Sequence, residues 1–165
     1  MAYLGWLVAV LALDQASKWL VMTNIELYEK IPLLPRWLNL TLWHNSGGAF
    51  GILQDQGMWL ASVAVLVSAG IVVLLVRYPR PQWVLNVGLA CIAAGALGNL
   101  IDRIRLGRVV DFVQVCFDGL CAFPVFNVAD SAIVVGTALI LWSWMRQKKA
   151  PSAPLEDPYN EHSIG

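Results

Sequence analysis

Four long apolar runs, separated by polar stretches, set the pattern of this chain. Residues 57–76 and 83–101 contain no Asp, Glu, Lys or Arg, residues 125–145 contain only Asp130, and residues 1–22 contain only Asp14 and Lys18. Each run is close to the roughly 20 residues a helix needs to cross a bilayer. The pattern predicts an integral membrane, mainly α protein with four transmembrane helices at about 3–22, 58–76, 83–103 and 128–145. The first run has no basic residue ahead of it, so it reads as a retained helix rather than a cleaved signal peptide.

The intervening loops, about 23–57 and 104–127, have their own pattern. Pro32 and Pro35 break the first loop early. Trp37 to Trp43 then alternates in period two with its leucines on one face, as a half-buried strand does. A Gly-rich turn follows at Asn45–Gly51, where backbone could approach another chain closely. Val109–Val115 reads as a second strand, and the two loops together predict a small β-sheet, a cradle lying on the membrane. Arg77–Pro81 is a short basic hairpin. Residues 1–146 read as one membrane domain, and 147–165, Pro-rich and polar, as a disordered tail.

Composition agrees with a membrane protein. Charged residues make up 13% of the chain, about half the ~25% usual in soluble domains, and mean hydropathy is +0.64. Trp6, Trp19, Trp59, Trp83, Trp142 and Trp144 fall near the expected helix ends, as an aromatic belt does. A formal net charge of zero offers no bulk field for nucleic acid, and no nucleic-acid partner is expected. Lys and Arg divide almost evenly between the two sides of the expected topology, so charge leaves orientation open. Of the three cysteines, Cys91 lies within a helix. Cys116 and Cys121 share a loop and could pair if that loop faces an oxidising compartment.

Chemistry concentrates between Asn99 and Asp130, which holds Asp102, Arg103, Arg105, Arg108, Asp111, Asp118 and Asp130. Ionisable groups beside hydrocarbon are costly and point to function. Asp14 and Lys18 share a helix face at i,i+4 in the favourable acid-first order, with a lysine that snorkels to the interface as the plain alternative. Asn99, Asp102 and Arg103 share one face of the third helix. Asn127 and Asp130 could be no more than a helix cap. With only His44 and His162 as histidines there is no HExxH zinc site, no P-loop or dinucleotide fingerprint appears, and no metal or cofactor is expected. A pair of carboxylates, Asp111 and Asp130, remains. One kept protonated and one acting as base would activate water and protonate a leaving amine.

The motifs Asp14-Gln-Ala-Ser-Lys18, Asn45-Ser-Gly-Gly-Ala-Phe50, Gly98-Asn-Leu-Ile-Asp-Arg103, Val110-Asp-Phe112 and Phe126-Asn-Val-Ala-Asp130 occur in an order that resembles the lipoprotein signal peptidases, the type II signal peptidases of bacteria. The resemblance covers roughly residues 4–146. It implies an aspartic endopeptidase of the inner membrane that removes signal peptides from prolipoproteins, cutting before a cysteine that carries diacylglycerol. Asp111 and Asp130 match the catalytic dyad. Asn99, Arg103 and Asn127 match supporting positions, and Asp14, Lys18 and Asn45 match further positions around the site. The resemblance also implies cytoplasmic termini, an extracytoplasmic active site and contact with membrane lipids; a monomer is the expected working unit, though sequence does not itself fix the oligomeric state. Gly48 stands where the family more often has Ala or Val, and the Cys116–Cys121 segment follows no family pattern. The competing class is a four-helix transporter relaying protons through Asp and Arg. Missing inverted-repeat similarity counts against it, and cleavage of a lipidated peptide separates the two.

Overall fold

The computed structural model describes residues 2–47, 56–77 and 82–148. The second half of the Gly-rich turn, the basic hairpin beyond Arg77 and the tail beyond Lys148 lie outside these residues. The described chain runs α1 (Ala2–Asn24), β1 (Lys30–Leu34), β2 (Leu38–Asn45), α2 (Gly57–Arg77), α3 (Trp83–Leu106), β3 (Val109–Val115) and α4 (Val128–Lys148). All four helices are long and apolar enough to span a membrane.

The bundle is organised around α3. Over half of its apolar span, 56%, is buried inside the protein, against 17–22% for the other three. Its buried face is built from small residues, Gly88, Ala90, Cys91, Ala93, Ala94, Gly95 and Gly98. Small residues let neighbouring backbones approach closely, which is how helices associate without water to drive them together. By contrast, α1 turns Trp6, Val8, Leu13, Trp19 and Leu20 outward while Asp14, Lys18 and Val21 are buried. An apolar outside around a charged inside is what hydrocarbon surroundings require.

α3 continues three residues past its expected end at 103, to Leu106. It stops at Gly107, whose φ of 72° is left-handed and whose N–H donates to Arg103 O. Glycine adopts this conformation without a Cβ penalty. The chain reverses there into β3, whose Val110 N–H meets Asp102 in the turn before.

The surface sheet has three antiparallel strands in the order β1-β2-β3. β2 begins one residue later than the Trp37–Trp43 pattern predicts and runs two residues further, drawing Asn45 into the sheet. A register shift between Leu40 and Trp43 breaks the simple alternation. β1 is a correction, because Pro32 reads as a breaker in sequence. Here it sits in an exposed edge strand, where a missing N–H costs no ladder bond. Leu42, Val110 and Phe112 from the sheet pack on Val21 of α1 and on Ile25 just beyond it, joining sheet to bundle at one end.

Candidate active site

The site forms where α3 ends, α4 begins and β3 crosses between them. The N–H groups of Phe112 and Val113 donate to Phe126 O at 3.0 and 2.8 Å, and Phe126 N–H returns to Val113 O at 3.0 Å. This bridge sets Asn127 beside β3. Asn127 then starts α4: its Oδ1 accepts the Asp130 N–H at 2.9 Å, and Asp130 Oδ2 accepts the Asn127 N–H at 3.3 Å. That is a reciprocal capping box, which satisfies helix donors that would otherwise be orphaned. The capping alternative is therefore real, and it coexists with a wider network.

Asn127 also reaches the other carboxylate. Its Nδ2 donates to Asp111 Oδ1 at 2.7 Å, with Val110 O at 3.2 Å and Asn99 Oδ1 at 3.1 Å. Asp111 Oδ2 accepts Asn45 Nδ2 at 3.0 Å. Asn45 pairs with Val109 in the ladder, so Asp111 is its diagonal neighbour on the same face, within side-chain reach. Asn99 Nδ2 donates to Asp130 Oδ1 at 2.8 Å. Both carboxylates thus belong to one amide-lined cluster, with Asp111 buried and Asp130 half-buried.

Beneath the amides lies a buried ionic cluster. Lys18 Nζ is 2.9 Å from Asp14 Oδ2, 2.8 Å from Asp102 Oδ2 and 2.9 Å from Asn99 Oδ1. Lys18 is 1% exposed, so it points inward rather than snorkelling. Asp14 Oδ1 accepts the Ala129 N–H at 2.9 Å, capping α4 from another helix. A Cβ on Gly98 would collide with the Asp14 carboxylate, so this approach needs glycine. Arg103 donates to Gly47 O at 3.1 Å and to Asn99 O at 3.4 Å, tying α3 to the Gly-rich turn, while Gly47 N–H donates to Asn45 Oδ1 at 2.9 Å.

The eight residues singled out in sequence therefore converge on one place. Asp102 and Gln15 belong there too. Gln15 Nε2 donates to Asp14 Oδ2, Gly98 O and Asp102 Oδ1 at 3.1, 3.2 and 3.2 Å. The available signal was the shared helix face of Asn99, Asp102 and Arg103, together with the position of Gln15 inside the Asp14–Lys18 motif.

Electrostatics separate the groups. Burial, and then the charge of nearby Asp130, push the Asp111 carboxyl up to about 7 against the pull of its amide and Lys18 neighbours. A carboxyl in that range exchanges a proton near neutral pH, as acid–base catalysis requires. His44 is held below its ordinary value by burial and by Arg108, and its Nδ1 has no partner among the described residues. Cys116 and Cys121, left open by the sequence, form a disulfide.

Comparison with known proteins agrees with this geometry. Residues 6–146 match the family model for signal peptidase (SPase) II. The lipoprotein signal peptidase of Acinetobacter baumannii is 48% identical over 143 residues, covering 84% of this chain and 80% of its own. That of Pseudomonas fluorescens is 43% identical over 153 residues, covering 88% and 90%. A bacterial membrane enzyme structure obtained in meso at 2.3 Å resolution superposes with a TM-score of 0.83 at 28% identity, covering 92% of this chain and 93% of that one. A second, at 1.9 Å, gives 0.78 at 29% identity, covering 88% and 93%. With the family model spanning nearly the whole described chain, the protein belongs to the signal peptidase II family of aspartic peptidases.

Proposed function

We propose that this membrane peptidase cuts prolipoproteins just before their diacylglyceryl-modified cysteine, with Asp111 and Asp130 as the catalytic dyad. The observation that carries the assignment is the shared grip of Asn127 on both carboxylates. One proton is shared by the pair. Asp111, held near neutrality by burial and by its neighbour, donates toward the scissile carbonyl oxygen, while the ionised Asp130 takes a proton from water. Water oxygen bonds to the carbonyl carbon. As the carbon–nitrogen bond breaks, the leaving amine takes from Asp130 the proton that water gave up, and the re-forming carbonyl returns its hydroxyl proton to Asp111. Asn45, Asn99 and Asn127 hold the carboxylates in place, Arg103 fixes the Gly-rich turn, and Asp14 and Lys18 anchor the amides from below.

The substrate remains in the bilayer by its acyl chains, so the scissile bond has to meet the dyad near the headgroups. The dyad lies at the end of the bundle joined to the surface sheet, where exposed Trp43 pairs with Asp111 in the ladder and suits that level. This end is assigned to the extracytoplasmic face of the bacterial inner membrane, with both termini cytoplasmic. Reporters after Arg80 or Gln147 should read cytoplasmic and one near Asp118 outside. Residues 1–146 form the working domain, 147–165 a dispensable tail. Both carboxylates come from one chain, which supports a monomer as the working unit. Cleavage of a lipidated prolipoprotein peptide by purified protein tests the assignment. Wild type should release the signal peptide, and Asp111→Asn and Asp130→Asn should not. A folded variant that cleaves at the wild-type rate rejects the dyad.

A further inference from the structure

We propose that Asp102 is a positioning residue for proteolysis: its carboxylate joins the Lys18–Asn99–Asp130 line to the start of β3 and so keeps Asp130 and Asp111 in register. The proposal rests on the dyad assigned above. Asp14 alone would neutralise Lys18, from 2.9 Å. Asp102 adds a second carboxylate at 2.8 Å, giving this buried group one more negative charge than positive. An extra buried charge is costly. Ion-pair stability gives no reason for it; its remaining contacts do.

Asp102 Oδ2 accepts the Val110 N–H at 3.1 Å, one residue before Asp111. Val110 O in turn accepts Asn127 Nδ2 at 3.2 Å. The same oxygen of Asp102 meets Lys18, whose Nζ donates to Asn99 Oδ1. That bond fixes which way the Asn99 amide points, with Nδ2 toward Asp130. One oxygen thereby orients the backbone beside Asp111 and the amide that holds Asp130. Its partner oxygen is pinned by Gln15. Because the geometry of acid–base groups decides their efficiency, a carboxylate that sets two of them at once acts on turnover more than on binding.

The charged groups around the dyad are Lys18 and Asp14 from α1 and Asp102 and Arg103 from α3; on β2, His44 pairs with Val110 and lies on the strand face opposite Asn45, with Arg108 as its charged neighbour. Asp102→Asn keeps an oxygen for Val110 N–H but removes one negative charge from this set. Lys18 then acts more strongly on the dyad, whose proton leaves at lower pH.

The test measures cleavage of a lipidated prolipoprotein peptide by full-length enzyme in detergent, normalised to folded protein. Asp102→Leu should lower kcat by about 10²-fold, the scale of a small misplacement, with KM nearly unchanged. Asp102→Asn should fall less and shift the alkaline limb of its pH–rate profile to lower pH. Unchanged kcat and pH limb in folded Asp102→Asn overturn the proposal, as does a loss confined to KM. If both variants fail to fold, Gln15→Met, at a half-buried position, releases Asp102 without removing it. It should lower kcat severalfold at constant KM, and unchanged kcat overturns the proposal. Asp111→Asn is assayed in parallel. Activity in that variant refutes the dyad itself, whereas an inactive Asp111→Asn beside an unaffected Asp102→Asn refutes only the role of Asp102.

Discussion

Asn127 and Asp130 hold each other in both directions, Asn127 Oδ1 accepting the Asp130 N–H at 2.9 Å and Asp130 Oδ2 accepting the Asn127 N–H at 3.3 Å. Helix capping and catalytic placement are therefore done by the same pair of side chains, and substitutions can separate them. Asn127→Ala loses both and should cost about 1–2 kcal/mol of stability from the cap, as well as nearly all activity. Asn127→Ser keeps a capping oxygen but has no amide to donate to Asp111. It should recover most of the stability in thermal melts and little of the cleavage. Equal recovery of both would mean that the amide bond to Asp111 does not matter.

The Asp111 carboxyl, pushed up to about 7, gives pH predictions with definite signs. The active dyad needs one proton, so cleavage should decline as pH rises through about 7. Stability follows from the same shift. The unfolded chain releases this proton near the ordinary 3.8, whereas the folded protein keeps it to about 7. Folding is thus progressively penalised across that window, with the full penalty above it. Asp111→Asn cannot ionise, so the melting temperature of the variant minus that of wild type should rise between pH 4 and 8. A difference that falls with pH would contradict the raised value.

How much of this was legible in sequence depended on the kind of force involved. The four spans follow from long apolar runs, a local property, and β3 from a run of strand-forming residues. β1 could not be read, because Pro32 is a breaker in a central strand and harmless at an edge, and only the pairing with β2 shows which applies. The inward turn of Lys18 depends on three partners from two helices, Asp14, Asp102 and Asn99. Spacing identified the first partner and could place neither of the others against it. The bond from Val110 N–H to Asp102 depends on the reversal at Gly107 that brings β3 back over α3, a long-range placement that spacing does not show.

Gly98 should tolerate no side chain. A Cβ there meets the Asp14 carboxylate, which caps α4 through Ala129 N–H. Gly98→Ala should cost about 1–3 kcal/mol by overpacking and lower turnover by tilting the first turn of α4. Gly70, in α2, has nothing within 4 Å of an added Cβ. Gly70→Ala should leave activity intact and raise stability slightly, by about 0.5–1 kcal/mol at most. Melting curves of the two variants check the contrast.

The Cys116–Cys121 disulfide closes a loop with a sequence separation of only five residues, so chain-entropy stabilisation by the bond is small. Neither sulfur contacts the amide cluster. A Cys116→Ser/Cys121→Ser protein should cleave at close to the wild-type rate, and a reductant should have as little effect on the native enzyme. Loss of activity in a folded double variant would place this loop in contact with substrate.

The last prediction concerns the dyad as a unit. Asp111→Asn and Asp130→Asn preserve size and much of the hydrogen bonding, yet neither amide can cycle a proton. Each should lower cleavage by at least about 10²–10⁴-fold, the usual contribution of general acid–base groups. Binding of a lipidated peptide should weaken far less, since burial of acyl chains does not involve the carboxylates. If the two act through one shared proton, losing either abolishes the same step, and the double variant should be scarcely slower than the worse single one. Asp130 acting only as a cap would behave differently: Asp130→Asn would lower the melting temperature and leave turnover per folded molecule intact. Measuring kcat on the folded fraction of all three variants therefore decides between them. Additive losses would mean that Asp111 and Asp130 serve separate steps rather than one.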